Sequence, residues 1–201
     1  MILTLVDYGA GNLASVERAF ARLGAQTRRA RSGEEIGDAE AIVLPGVGHF
    51  GALARALKRE GMAEALGAAV ERGTALLGIC LGLQVLFAQS EEAPGEAGLG
   101  WLGGEVRALP ADVKLPHMGW NQVRRVGPSR LLESIHEDSW FYFAHSYAAF
   151  ETGEAAVAKC DYGSPFSAVV ERGRLTAVQF HPEKSGEAGA KVLRNFLEMA
   201  R

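Results

Sequence analysis

The chain has 201 residues, a formal net charge of −3, 48% hydrophobic residues and 22% charged residues. That is the make-up of an ordinary globular protein long enough for a real core, and one domain spanning 1–201 is expected. The mild negative charge argues against nucleic acid or an anionic membrane as the main partner, no apolar run approaches a membrane span, and Asp7 breaks the N-terminal apolar run too soon for a signal peptide.

Ile2–Val6 reads as a buried strand, followed by a Gly-rich loop and a helix from an Asn12 cap to about Leu23. Gln26–Arg29 and Ala41–Leu44 read as strands, the second stopped by Pro45. After the flexible loop Gly46–Gly51, helices are expected at Leu53–Arg59 and Met62–Arg72, the latter closed by Gly73. Ala75–Ile79 is a short apolar run bounded by Gly, which reads as a buried strand. The helix expected next carries Leu83, Leu86 and Phe87 on one face. This order gives an α/β parallel sheet.

The pattern changes after Ala88. Gln89–Gly104 is rich in Gly and Glu and reads as a surface excursion. Short strands follow at Glu105–Leu109, Asn121–Val126, Trp140–Phe143, Ala155–Lys159, Ala168–Glu171 and Leu175–Gln179, the last two joined by a tight turn at Arg172-Gly173. Ser129–Ile135 and Ala188–Met199 read as helical. The fold class expected is therefore an open, mostly parallel α/β sheet flanked by helices, with an inserted antiparallel portion.

Cys80 stands on the join between strand and helix, flanked by Gly78 and Gly82. Small neighbours permit a sharp turn that presents the corner side chain at the sheet edge, as in a nucleophile elbow. A thiol at a helix N-terminus is also favoured as thiolate. The competing reading is a small buried hydrophobe, the common fate of a free cysteine. Only Cys160 accompanies it, without CxxC spacing, which suggests a reduced, cytoplasmic setting rather than a disulfide framework.

A thiol nucleophile needs a base, and the base an orienting group. Of His49, His117, His136, His145 and His181, the last is best placed. It ends a strand, Pro182 stiffens the exit, and Glu183 can accept the second imidazole N–H. His136 and His145 read as ordinary core or surface residues. An oxyanion would find donors in the backbone N–H of Leu81 and of Val47 or Gly48. Gly9–Ala14 and Gly46–Gly51 each match a dinucleotide-loop pattern, and Arg28, Arg29 and Arg31 lie where a 2′-phosphate would bind. No acid falls where NAD would need one, and two matches in one chain show how permissive the pattern is. His181-Pro-Glu183 fits the H-x-E of zinc deaminases, but no P-C-x-x-C accompanies it.

The stretches G-I-C-L-G-L-Q at 78–84, P-G-V-G at 45–48 and Q-F-H-P-E at 179–183 together resemble the class I, triad-type glutamine amidotransferases. D-Y-G-A-G-N at 7–12, H-M-G-W-N at 117–121, F-A-H-S-Y at 143–147 and H-P-E-K-S at 181–185 resemble the histidine-pathway branch of that family. The resemblance covers essentially the whole chain. It implies hydrolysis of L-glutamine to glutamate and ammonia, with Cys80 as nucleophile, His181 as base and Glu183 orienting it. It further implies that Gln84, Gly48, Ser146 and Tyr147 hold glutamine, and that no metal or organic cofactor takes part. The partner implied is the (β/α)8 cyclase subunit of imidazole glycerol phosphate synthase, in a heterodimer, met by Asn12, Met118, Trp120 and Asn121 with Tyr142 and Lys184 nearby. Two other readings stand beside it: the glutaminase of pyridoxal phosphate or anthranilate synthase, and a thiol hydrolase on a similar elbow. A non-catalytic module would lack a triad member, and none is missing.

Overall fold

The computed structural model describes residues 1–201. Ile2–Val6 (β1), Leu13–Arg22 (α1), Gln26–Ala30 (β2), the single turn Gly33–Ile36 (α2) and Ala41–Gly46 (β3) open the chain. Phe50–Arg59 (α3) and Met62–Glu71 (α4) lead to Ala75–Cys80 (β4), which passes directly into Leu81–Gln84 (α5). Then come Glu105–Ala108 (β5), His117–Gln122 (β6), Arg124–Arg125 (β7), Trp140–His145 (β8), Tyr147–Phe150 (β9), Ala156–Asp161 (β10), Pro165–Arg172 (β11) and Leu175–Val178 (β12). A 3₁₀ turn at Pro182–Lys184 precedes Gly186–Met199 (α6).

The large sheet runs β2-β1-β3-β4-β12-β11-β10-β7, with β9 bonded to β11 and β5 to β9. Pairing is parallel from β2 to β12 and antiparallel beyond. This is the α/β sheet with an inserted antiparallel portion that the sequence pattern leads one to expect. β6 and β8 form a separate antiparallel ribbon. No helix is long and apolar enough to cross a membrane.

β3 and β4 are buried on both faces, so their apolar runs are continuous rather than alternating. Successive side chains point to opposite faces. Leu3, Leu5, Val43, Leu77 and Ile79 join Phe20 and Phe196 in one core. Ile42, Leu44 and Leu76 join Phe50, Leu57 and Leu66 in the other. The first core packs under α1 and α6, whose Phe20 and Phe196 rings meet edge to face.

Several elements depart from the sequence reading. β3 continues through Pro45 to Gly46. β1 pairs with β3 only as far as Val43, so beyond it β3 has a free side on which a missing N–H costs no ladder bond. The helix expected through Phe87 is one turn, because the carbonyls of Val85 and Leu86 accept from Leu99, Trp101 and Leu102 of the following excursion. Ser129–Ile135 is a run of turns. Its carbonyls are taken by side chains: Asn195 donates to Leu131 and Glu133, and Arg125 to Leu132 and Ile135. The stretch from His117, which carries no apolar periodicity, is nonetheless a strand, paired with Trp140–His145. The last hairpin turns at Gly173-Arg174, with φ 64° at Gly173. The short α2 and the strand β9 are additions that the sequence reading lacked.

Three parallel strands place the chemistry. Gly46 pairs with Cys80 and Val178 with Ile79. The carboxyl ends of β3, β4 and β12 therefore share one rim, the usual site of ligand binding in open α/β sheets.

Candidate active site

Cys80 closes β4 with φ 56° and ψ −108°, a backbone region that costs a non-glycine residue about 1–3 kcal/mol. The turn is held by close approach of backbones. A Cβ on Gly82 would stand 1.9 Å from the Leu44 carbonyl oxygen, so only glycine fits there. Since α5 is a single turn, its macrodipole is small, and the electrostatics at the sulfur come mainly from neighbouring side chains.

His181 follows the end of β12 and is 4% exposed. Its backbone N–H donates to the Tyr142 carbonyl at 2.8 Å, and its own carbonyl accepts from Ser185 Oγ at 2.6 Å. Nδ1 lies 2.9 Å from Glu183 Oε1. With Nδ1–H donating there, Nε2 is left for Cys80, to which the imidazole hydrogen-bonds. The Glu183 side chain is 1% exposed, and its Oε2 has no partner. No other donor competes for that carboxylate. Burial alone would lower the His181 pKa, but hydrogen bonds to Cys80 and Glu183, with their charges, raise it to about 10.

A cleft of about 210 Å³ opens over the sulfur. Val47, Gly48, Cys80, Leu81, Gln84, Ser146, Tyr147, His181 and Lys184, each singled out from the sequence, all line it. Gly48 has φ 94°, a left-handed conformation natural to glycine, which lets the loop after β3 turn over the cleft. Glu92 and His145 line the cleft as well. Glu92 lies in the excursion read as surface, and its Oε2 accepts the Phe50 N–H at 2.7 Å. His145, read as an ordinary residue, is 6% exposed and bonded to His117 and the Tyr147 carbonyl. No sequence signal marks Glu92, whereas His145 falls within the F-A-H-S-Y stretch at 143–147. His136 is exposed beside Asp138, away from the cleft.

Three expectations need adjustment. The Val47 N–H is engaged: it donates to Tyr8 Oη at 2.9 Å, while the same hydroxyl donates to the Val47 carbonyl at 3.1 Å. In this conformation it is not available to an oxyanion, which leaves Leu81 and Gly48. Both Gln84 amide hydrogens are used internally, on the Tyr147 carbonyl and Gln179 Oε1, so a substrate could meet only its carbonyl oxygen. Asn121 does not share the surface of Met118 and Trp120. Strand alternation turns its amide inward, to the Asp161 carbonyl and His117.

Met118 and Trp120 are 64% and 53% exposed. Trp120 packs edge to face on Tyr142, its cross-strand partner. Lys184 Nζ lies over the other aromatic ring there, 5.5 Å from the Tyr142 centroid. Asn12 caps α1 without a side-chain hydrogen bond, on the loop that leaves β1. Arg29 and Arg31 are paired with Asp7 and Glu17, and Arg28 donates to Thr4. The cluster considered for a 2′-phosphate is thus committed to internal partners. No group of three or more His, Cys, Asp or Glu side chains is set to hold a metal ion.

The family model for Glutamine amidotransferase class-I matches residues 4–200, and the chain belongs to that family. A solved structure described as a glutamine amidotransferase shares the fold at TM-score 0.80, with 23% identity, 100% of this chain and 99% of that one. Among curated relatives, the imidazole glycerol phosphate synthase subunit HisH of Methanothermobacter thermautotrophicus is 47% identical over 100% of both chains. The HisH subunit of Moorella thermoacetica is 46% identical over 99% of this chain and 95% of its own. Within the amidotransferases, the chain therefore groups with the HisH subunits.

Proposed function

We propose that this amidotransferase, acting as one domain, hydrolyses L-glutamine to glutamate and ammonia through a thioester on Cys80. Its ammonia would pass to a (β/α)8 cyclase subunit that forms imidazole glycerol phosphate in histidine biosynthesis. The observation that carries the reading is the buried Cys80–His181–Glu183 set at the foot of a cleft lined by Gln84, Ser146, Tyr147 and Glu92.

Cys80 Sγ attacks the side-chain carboxamide carbon, and its proton resides on His181 Nε2. The tetrahedral oxyanion is met by the N–H of Leu81, next to the nucleophile, and of Gly48. The C–N bond then breaks, His181 returns the proton to the leaving nitrogen, and ammonia departs. Water adds to the thioester carbon as His181 takes its proton. The C–S bond breaks, releasing glutamate and restoring sulfur and imidazole. Glu183 keeps the imidazole in the tautomer with Nδ1–H and offsets its charge. Glu92 is the carboxylate in the cleft wall, suited to the α-ammonium group of glutamine. Glu92→Gln should therefore raise KM for glutamine by about tenfold with little change in kcat, and equal losses in both would remove it from binding.

Tyr8 bears on control. While its hydroxyl holds the Val47 peptide, the Val47 N–H cannot join those of Leu81 and Gly48 at the oxyanion, and a single such donor contributes about 10²–10³-fold. Tyr8→Phe should raise glutamate release by the isolated chain, by up to about 10²-fold. An unchanged rate would mean that the clamp does not limit hydrolysis.

Met118, Trp120 and Tyr142 lie on one face of the ribbon, with Lys184 of the 3₁₀ turn Pro182–Lys184 over the Tyr142 ring, and are the surface we assign to the cyclase, with Asn12 on the same rim and Asn121 supporting from within. The reading is tested by titrating the chain with the cyclase subunit and following glutamate release beside a thermal melt. Trp120→Ala should weaken the complex by about 2 kcal/mol or more, as central aromatic anchors do, and should lower partner-stimulated hydrolysis at an unchanged melting point. Unchanged affinity removes Trp120 from the interface, and a lowered melting point with lost affinity makes it a core residue.

A further inference from the structure

The Cys80 sulfur has a neighbour that the mechanism above leaves out. Gln179 follows β12, is wholly buried at 0% exposure, and donates from Nε2 to Cys80 Sγ at 3.6 Å. Which end of that amide faces the sulfur is fixed by a second bond. Gln179 Oε1 accepts from Gln84 Nε2 at 3.1 Å, and Gln84 Nε2 also donates to the Tyr147 carbonyl at 2.7 Å. With its oxygen held by Gln84, the NH₂ group of Gln179 can only point toward Cys80.

The hold extends further. The Tyr147 carbonyl also accepts Nδ1–H of His145 at 2.8 Å. His145 Nε2 in turn accepts Nδ1–H of His117 at 3.0 Å, and His117 Nε2 accepts from the Asn121 amide at 3.3 Å. One tautomer, Nδ1–H on both rings, satisfies the whole run. Burial lowers the two imidazole pKa values to about 4 and about 3, so both rings are neutral at pH 7 and the bond directions do not change there. His117 is further fixed between the Phe143 and Tyr162 rings. Buried, fully satisfied networks of this kind rigidify the groups they end on.

The sulfur carries negative charge twice in the reaction, before it attacks the carboxamide and when the C–S bond of the thioester breaks. A donor aimed at it favours the charged form on both occasions. We propose that Gln179 is a further catalytic residue, its amide N–H supporting the Cys80 thiolate, and that Gln84, Tyr147, His145 and His117 are positioning residues that keep that amide turned toward the sulfur. This rests on Cys80 being the nucleophile. The competing role for Gln179 is a filler that merely satisfies Gln84. That role predicts no change at the sulfur when the amide is removed.

The test uses the glutaminase–cyclase complex with Gln179→Glu, which keeps an acceptor for Gln84 but puts an oxygen in place of the donor. Gln179→Met, of similar length and without the amide, is the second variant. Gln84→Met removes the hold on the Gln179 oxygen while leaving the Gln179 amide in place. Alkylation by iodoacetamide is followed against pH, with the adduct located by peptide mapping and melting curves in parallel. The titratable groups around the sulfur are His181, Tyr8, His145, Glu92 and Lys184; Gln179→Glu adds a carboxyl to them, so Gln179→Met, which adds none, is the deciding variant. Both Gln179 variants should move the midpoint of Cys80 alkylation up by about one pH unit and lower kcat about tenfold while KM changes little. Gln84→Met should move the midpoint in the same direction by less. An unmoved midpoint in Gln179 variants that melt like wild type overturns the proposal, and an unmoved midpoint in Gln84→Met alone overturns the positioning part. If the wild-type complex takes a glutamine-analogue electrophile at a residue other than Cys80, the nucleophile assignment itself falls. Labelling at Cys80 with an unmoved midpoint removes only Gln179.

Discussion

Cys80→Ala should reduce glutamine hydrolysis to background while the chain still folds. The side chain is small, so the loss of packing stays within the ordinary range of a point change, about 0.5–3 kcal/mol. The strained corner remains, since alanine at φ 56° is no worse off than cysteine. What disappears is the sulfur proposed to form the thioester. Treating the wild-type chain with a glutamine-analogue electrophile and mapping peptides should put the adduct on Cys80. Cys160 is an internal control. It is 1% exposed, and burial with the nearby Asp161 charge pushes its pKa up to about 12, so it remains a thiol at neutral pH. An adduct on Cys160, or full activity in Cys80→Ala, would remove Cys80 from the chemistry.

His181 supplies the second large effect. His181→Ala should cost about 10²–10⁴-fold in kcat, the worth of a general acid–base step, whereas His136→Ala should cost little. Glu183→Gln keeps an acceptor near Nδ1 but removes the charge, so it should lower the His181 pKa. The folded pKa, about 10, lies above the ordinary value of 6.5. The stabilisation gained by holding the imidazolium is therefore full below about pH 6.5 and fades as pH rises toward 10. Thermal melts of wild type and Glu183→Gln should differ most near pH 6 and converge toward pH 10. A gap independent of pH would mean that Glu183 acts by packing rather than by charge.

What could be read from residues alone was local. Gly78 and Gly82 announce the corner at Cys80, and His181-Pro182-Glu183 gives the candidate base and orienter within three positions of a strand end. The parallel half of the sheet follows from apolar runs alternating with helical periods. What escaped depends on contacts between distant segments. Tyr8 meets Val47 across 39 positions, and Glu92 reaches the cleft from a stretch whose composition reads as solvent-facing. Gln179 and Gln84 are 95 positions apart. The ribbon strand at His117 has polar and small residues on its inner face, where two histidines and an asparagine hydrogen-bond to one another, so no hydrophobic alternation could reveal it. Ser129–Ile135 has helical propensity, but Arg125 and Asn195 claim the carbonyls a helix would need.

The position of β12 has a consequence for how the molecule is made. It is the last strand in the sequence, yet it lies in the middle of the large sheet, between β4 and β11. Until it is inserted, β4 offers an unpaired apolar edge, and such edges invite pairing with other chains. The insertion joins residues about a hundred positions apart, the kind of distant pairing that slows folding. The same event carries His181 and Glu183 to Cys80. On the mechanism proposed above, a partly folded chain thus has the thiol but not its base, and becomes competent for hydrolysis only as that edge is sealed.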